Sequence, residues 1–414
     1  MTRKSSIAIG KFVRKVARLR GGGSALPGLV IEKIDRSFVR DCLGQLPKGV
    51  VVISGTNGKT TTTKIVTELL ESQGLKVFTN NTGSNFMRGV VAALLENINL
   101  RGELKADIAV LELDEAHAVK FVQAVQPKYS LLLNVMRDQL DRFGEIDHTA
   151  QLLSKVADAT TETVVINRED KRLAGLSTAA RQVYFGLGKE LISEFPEDDE
   201  LLSRSTKKQP SSLSADVVLS SIDDNVAEFL VDGKRYSTPL ALKGSYNIFN
   251  SAAALALVRQ VLPSAMVQAL VDGLASIESA FGRGESLTVN GQLLELFLVK
   301  NPSGFQLALN SFAAGEHDTM IAINDNYADG RDMSWLWNVS FIGLKSVQMV
   351  SGVRAADMAL RLKYDCVELV KVIEPNLSVA THDFCTNSTR PKRIFATYTA
   401  MLEIRKILKG RKIL

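Results

Sequence analysis

Short, unbroken apolar runs alternate along this chain with longer stretches whose apolar residues recur every three or four positions. Val50–Ile53, Asp107–Leu113, Tyr129–Asn134, Thr163–Asn167 and Val183–Gly186 are runs of the first kind, and each reads as a buried strand. Ile65, Val66, Leu69 and Leu70 follow the first run at helical spacing. Val217–Thr238 alternates weakly around Asp232-Gly233, which predicts a hairpin or meander. The Ala-rich stretch Ser251–Leu262 predicts a helix that Pro263 ends. The two periods resume at Leu293–Val299, Ser303–Ala313, Thr319–Ile323, Val347–Gly352, Val353–Tyr364, Val367–Val372, Arg393–Tyr398 and Thr399–Lys409. Such alternation builds parallel sheets, so an α/β fold is expected. Three parts follow: a basic N-terminal segment (1–45) packed on its neighbour, a central domain (46–288) and a Rossmann-like C-terminal domain (289–414). A charged, polar stretch, Leu187–Asp216, reads as a surface insertion in the central part.

The first strand runs directly into Gly55-Thr56-Asn57-Gly58-Lys59-Thr60-Thr61 and then a helix. Strand, glycine-rich turn, Lys-Thr and helix N-terminus together form the context of a phosphate-binding loop. Glycines let backbone N–H groups approach phosphate oxygens, and the helix end adds partial positive charge. Gly55, Thr56, Asn57, Gly58, Lys59, Thr60 and Thr61 are therefore the nucleotide-binding candidates, with Lys59 on the β/γ-phosphates and the Thr60 hydroxyl on Mg2+. The loop is a compressed version of the generic motif, whose first glycine would fall where Ile53 stands.

Other polar clusters lie just past strands, where open α/β sheets bind ligands. Thr79–Asn85, with Ser84, is either a phosphate or metal rim or an ordinary loop. Glu112, Asp114 and Glu115 are natural magnesium ligands, and Asn134–Arg142 is a third polar strand end. Asn247 and Asn250, one helical turn apart, can face one ligand, or either can cap the helix. Arg283, held between glycines, suits a mobile contact to phosphate. Asp325, Asp329 and Asp332 crowd one later loop, as carboxylates for substrate chemistry or as a long turn bonded to its own backbone.

Composition excludes several classes. The 45% hydrophobic and 23% charged content is that of a globular chain, and no apolar run approaches transmembrane length. The N-terminus lacks an apolar signal core, so a cytoplasmic location is expected. A net charge of +5 is too mild to imply a nucleic-acid partner. Yet residues 1–20 hold Arg3, Lys4, Lys11, Arg14, Lys15, Arg18 and Arg20 and no acid, interleaved with Ile7, Ile9, Phe12, Val13, Val16 and Leu19. That pattern fits peripheral contact with an anionic membrane, and equally a packed helix with a solvated basic face. The three cysteines show no C-x-x-C spacing, so no zinc site is expected.

Gly55–Thr61, Glu112, Asn134 with Asp138-Gln139-Leu140-Asp141, Gly244–Asn250 and Gly282-Arg283-Gly284-Glu285 occur in the order of the Mur ligase family, which this chain resembles over roughly residues 46–290. Lys300–Phe305, Asp325–Trp337 and Gly352–Tyr364 resemble the branch of that family that amidates the peptidoglycan precursor lipid II. The resemblance implies a central P-loop ATPase domain, a Rossmann-like C-terminal domain, and ATP with Mg2+. It implies that Lys59 and Thr60 hold phosphates and metal, with Glu112 and Ser84 as further metal ligands. By the same resemblance Asn247 and Asn250 lie near the adenine and Arg283 contacts the γ-phosphate. In that branch a carboxylate becomes an acyl phosphate, and ammonia from a separate class I glutaminase subunit captures it. No cysteine here sits in a nucleophile elbow, so this chain alone is not expected to hydrolyse glutamine. Ammonia would meet the acyl phosphate at Asp325–Asp332, with Asp329 or Asp332 favoured to direct it. Gln139 stands where typical ligases carry His, and Lys155 is only a loose counterpart of their carbamylated lysine. Leu187–Asp216 has no cysteine where many relatives in the branch carry a zinc ribbon. An amino-acid-adding Mur ligase or folylpolyglutamate synthase is the competing enzyme reading, and a nucleotide-dependent scaffold the non-enzymatic one.

Overall fold

The computed structural model describes residues 3–19, 25–80, 86–137, 146–195, 211–223, 225–279, 282–312, 317–387 and 389–410. Its first sheet comprises β1 (Val50–Ser54), β2 (Val77–Thr79), β3 (Ile108–Glu112), β4 (Tyr129–Leu132), β5 (Thr163–Asn167), β6 (Arg181–Leu187), β7 (Val217–Asp223), β8 (Val226–Val231) and β9 (Lys234–Pro239). The spatial order is β2-β3-β1-β4-β5-β6-β7-β8-β9. Pairing is parallel as far as β7, and β7–β9 form an antiparallel meander. Asp232 (φ 50°) and Gly233 (φ 77°) turn its second hairpin. The second sheet comprises β10 (Arg283–Val289), β11 (Gln292–Leu298), β12 (Asp318–Ala322), β13 (Ser346–Ser351), β14 (Glu368–Glu374) and β15 (Lys392–Ala396), ordered β10-β11-β15-β12-β13-β14. Only its β10–β11 pair is antiparallel.

Strand β1 shows why its sequence is unbroken Val-Val-Val-Ile. Val51 and Ile53 enter one core with Ile65, Leu69 and the helix Ser245–Val261, while Val50 and Val52 enter the core on the opposite face. Both faces are covered, so a two-residue period has no polar side to show. Burying each such side chain contributes about 1.5–3 kcal/mol. The helix Ser245–Val261 is buried over most of its surface, which its alanines permit by letting neighbouring elements come close.

Six helices of the first half frame the site: α1 (Arg3–Leu19), α2 (Ala25–Ile34), α3 (Phe38–Leu43), α4 (Lys59–Ser72), α5 (Met87–Asn97) and α6 (Glu115–Ala124). α1 and α2 pack on each other and on α5. A Cβ on Gly28 of α2 would fall 2.4 Å from the Arg88 carbonyl oxygen, so α2 lies directly on the first turn of α5.

The structure departs from the sequence reading in three places. Leu187–Asp216 is not wholly a surface insertion: Leu191, Ile192 and Phe195 are buried in the first core, and residues 196–210 lie outside the described set. Arg283, for which no strand was expected, opens β10 opposite Phe297, with a bulge before Glu285. The helix Leu377–Thr386, capped by the Asn376 side chain, fills a stretch that carried no expectation. Ser84, Asp138, Gln139 and Asp141 lie outside the described residues.

Candidate active site

Past Ser54 the chain turns through Gly55–Gly58 into α4. Gly55 (φ 135°) and Gly58 (φ 89°) hold backbone angles that side chains with a Cβ rarely adopt. A Cβ on Gly58 would also meet Asn250 Oδ1 at 2.7 Å. Asn250 is therefore packed beneath the loop. Asn134, just past β4, templates the loop from the side. Its carbonyl accepts the Thr56 N–H at 3.0 Å, and its Oδ1 accepts the Asn57 N–H at 2.8 Å. Its Nδ2 donates to the Asn57 carbonyl at 3.0 Å and to the Tyr246 hydroxyl at 2.5 Å.

Lys59 is buried and bends back over the loop. Its ammonium donates to the Gly55 carbonyl and, at 3.3 Å, to that of Thr56. It also lies 3.5 Å from Asp114 Oδ1 and 3.5 Å from Glu115 Oε2. Burial alone would raise the Asp114 carboxyl, but Lys59 and a hydrogen bond from Glu115 outweigh it and hold it well below the usual range. Burial pushes Glu115 upward despite Lys59. Asp114 thus carries the charge facing Lys59, and Glu115 keeps a proton more readily than a free glutamate.

At the mouth of the loop the Thr60 hydroxyl donates to Glu112 Oε1 at 3.0 Å. Asn80, just past β2, grips Glu112 by its backbone: Asn80 Oδ1 accepts its N–H at 3.0 Å and Nδ2 donates to its carbonyl at 2.8 Å. Two adjacent hard oxygens fit Mg2+, which takes one or two protein ligands and completes its shell with water and phosphate. Among the described residues no group of three or more His, Cys, Asp or Glu is gathered for a metal.

The second half of the chain closes on the loop. Lys300, two residues past β11, donates to the Thr56 carbonyl at 3.2 Å. Asn301 donates to Asn57 Oδ1 at 3.1 Å and, through its own Oδ1, receives the Gly304 N–H at 2.7 Å at the start of the helix Pro302–Phe312. Asn247 is tied to Lys243 O at 2.8 Å and accepts from Thr61 at 3.5 Å. Between these elements lies a cleft with Gly58, Thr61, Tyr246, Asn247, Phe297 and Phe312 on its walls. Aromatic walls with a few placed amides suit a flat heterocycle.

Beyond β12 the three aspartates separate in role. Asp329 is buried, and it accepts the Thr399 N–H at 2.7 Å, the Thr399 hydroxyl and the Asn326 N–H at 3.1 Å. Burial pushes its carboxyl up, against those hydrogen bonds. Asp332 is exposed, and hydrogen bonds from the Ser334 side chain and, at 2.9 Å, from the Ser334 N–H lower its carboxyl. Asp325 faces a cation instead, Arg354, at 3.6 Å.

Family models match both halves of this site: the Mur ligase middle domain over residues 53–258 and the MurT ligase C-terminal domain over residues 298–401. Over 429 aligned residues the chain is 30% identical to the lipid II isoglutaminyl synthase (glutamine-hydrolyzing) subunit MurT of Streptococcus pneumoniae, covering 95% of this chain and 94% of that one. The chain belongs to the MurT family. The subunit of the same name from Staphylococcus aureus is likewise 30% identical, with 92% of each chain covered. Among solved structures, the MurF ligase of Thermotoga maritima in complex with ADP superposes with a TM-score of 0.66 at 18% identity, covering 90% of this chain and 81% of that one. At that identity the likeness is one of fold.

In this MurT-family chain the residues Gly55–Thr61, Glu112, Asn247 and Asn250 gather around one loop, whereas Asp325, Asp329 and Asp332 belong to a second strand end. Asn134 was read only as the start of a polar strand end, and Lys300 and Asn301 only as part of a family motif, with no individual role in the site. Their signal was present, since each is a polar residue just beyond a strand. Asp114 and Glu115 were read as metal ligands and instead face Lys59.

Proposed function

We propose that this chain is the synthetase half of a two-subunit ligase that converts the D-glutamate α-carboxylate of lipid II into a carboxamide at the expense of ATP. One observation carries the reading. Lys59, Lys300 and the Thr60–Glu112 oxygen pair meet at a single phosphate-type loop, in a chain similar over nearly its whole length to subunits named for lipid II isoglutaminyl synthase. Two cations and a metal are what a transferring phosphoryl group requires.

In this reading Lys59 leaves the Gly55 and Thr56 carbonyls for the β- and γ-phosphate oxygens, and Lys300 follows from the other side. Magnesium held at Thr60 and Glu112, with Ser84 as a further ligand, would neutralise charge on the same oxygens. The adenine occupies the cleft beside Asn247, with Asn250 supporting the loop from below, and Arg283 serves the γ-phosphate. A substrate carboxylate oxygen attacks the γ-phosphorus and ADP departs. Ammonia then attacks the acyl carbon, phosphate departs, and the surplus nitrogen proton passes to a carboxylate or water. Asp325 is the best placed of the three aspartates for that proton, because Asp329 and Asp332 already serve backbone N–H groups. Ammonia comes from a class I glutaminase subunit bound to this chain. ATP and a lipid-linked precursor put the reaction in the cytoplasm, at the inner face of the membrane.

The test combines purified chain, lipid II, ATP, Mg2+ and ammonium, with the stem peptide read by mass spectrometry. ATP-dependent isoglutamine formation is expected, and glutamine should replace ammonium once the glutaminase is added. Incorporation of a free amino acid, with no amidation in either mixture, would sink the proposal in favour of the amino-acid-adding alternative.

A further inference from the structure

The N-terminal helix α1 is where the chain's positive charge is concentrated. Residues 1–31 contain seven basic and no acidic side chains, leaving 43 basic against 45 acidic in the remainder. The excess positive charge of the whole protein therefore belongs to this one segment.

α1 is fastened to the body along one side only. Ser6, Ile7, Gly10 and Ala17 are buried, and a Cβ on Gly10 would fall 2.6 Å from Leu95 Cδ2 of α5 and 3.0 Å from Ile31 Cδ1 of α2. Arg14 turns to the same body and pairs with Glu96 of α5. The opposite stripe carries Lys4, Ala8, Phe12 and Lys15, all exposed, with Lys11 half exposed beside them. None of the three lysines pairs with a carboxylate among the described residues. Phe12 is 68% exposed, a large apolar side chain that no described residue covers. On α2, packed against α1, Leu26 is also half exposed.

We propose that this face of α1 is a docking surface for an anionic lipid bilayer, with Lys4, Lys11 and Lys15 at the headgroups and Phe12 inserted between them. Charge complementarity selects that occupant: lysines without acids beside an exposed aromatic suit a diffuse sheet of negative charge with an apolar layer beneath it. The helix is 17 residues long, and no described helix is apolar enough to cross a membrane, so it lies on the surface. The placement is also useful. α1 rests on α2, and α2 rests through Gly28 on the first turn of α5, the helix that follows the β2 end of the candidate active site. A bilayer held by α1 therefore lies beside that rim, where a lipid-linked substrate has to present its peptide. This purpose rests on the proposed function, but the surface itself does not.

The full chain is sedimented with vesicles of phosphatidylcholine alone or mixed with phosphatidylglycerol, at low and high salt. It should partition to the anionic vesicles only, and less at high salt. Replacing all three lysines (Lys4→Gln, Lys11→Gln, Lys15→Gln) should weaken partitioning roughly 100-fold, at about a factor of five per cation. Phe12→Ser should weaken it in a way that salt does not reproduce. Amidation of a water-soluble precursor lacking the polyprenyl tail should be unchanged in both variants, which shows that they fold. Equal binding to neutral vesicles, no binding to anionic ones, or a triple variant that partitions like the parent overturns the surface. So does loss of glutaminase binding in the variants with vesicle binding intact, which would make the face a protein interface. Vesicle binding without any amidation would instead count against the proposed function and leave the surface standing.

Discussion

Asn57 and Asn301, 244 positions apart, exchange amide hydrogen bonds of 3.4 and 3.1 Å across the seam between the two sheets. Both are buried, and truncating Asn301 takes the donor from Asn57 Oδ1 and leaves Asn57 Nδ2 with the Met136 sulfur at 3.4 Å, at a cost of about 1–3 kcal/mol. Asn301→Ala should lower the melting temperature. It should also shrink the further rise that ADP produces, because the loop loses its brace. An unchanged ADP-induced shift in thermal unfolding would show that the seam does not support nucleotide binding.

Gly58→Ala places a Cβ against Asn250 at a positive φ, two independent sources of strain. ADP affinity should fall more than about tenfold by calorimetry. Removing Asn250 as well should restore only part of it, since the backbone angle remains. Lys59→Ala should reduce turnover by a factor of roughly 100 or more while glutaminase binding persists. Loss of the complex in that variant would mean the loop is structural.

Asn80 touches Glu112 only through its backbone, and so is a positioning residue. Asn80→Ala should raise the Mg2+ concentration for half-maximal activity by about 10-fold, and Glu112→Ala by more. Saturating Mg2+ should rescue the first variant more fully than the second. Equal, unrescued loss in both would contradict the division.

Asp325→Ala should lower amidation by about 10²–10⁴-fold with ADP binding unaltered, whereas Asp332→Ala should stay within a few-fold of the parent. Steady-state rates with ammonium, which bypass the glutaminase, separate the two. The reverse order would return the amine-directing role to Asp332.

Asp329 makes a pH prediction. Burial raises its folded carboxyl above 3.8, so the folded protein binds this proton more tightly than the unfolded chain does. The resulting stability is present below the ordinary carboxylate range and is lost as pH rises through the folded value. Relative to Asp329→Asn, the parent should therefore lose melting temperature as pH climbs above about 4. A gap between the two that stays constant or widens in the parent's favour would show that the hydrogen bonds from Thr399 and Asn326 outweigh burial.

Much of this architecture was legible because its strands are covered on both faces, and unbroken runs such as Val50–Ile53 announce that. The phosphate loop was legible because its glycines and Lys59-Thr60 are contiguous. What escaped was set by contacts distant in sequence. Nothing near Asn134 says that it will serve both ends of a turn 77 positions earlier. Asp329 and Asp325 look alike in a string of letters, and only the arrival of Thr399 commits the former. The Leu187–Phe195 stretch misled because four buried apolar residues were outweighed by the charged letters after them.

The meander strand β9 has a consequence for assembly. It ends the first sheet and carries Lys234 and Arg235 exposed, with Arg235 folded back on Glu228 at 2.5 Å, and Pro239 at its far end. Proline has no N–H to offer and lysine resists burial beneath a neighbour, so this border is a poor template for another strand. The nine-stranded sheet cannot readily be lengthened there by a second copy of the chain. A companion subunit approaching that flank would have to grip side chains rather than extend the sheet.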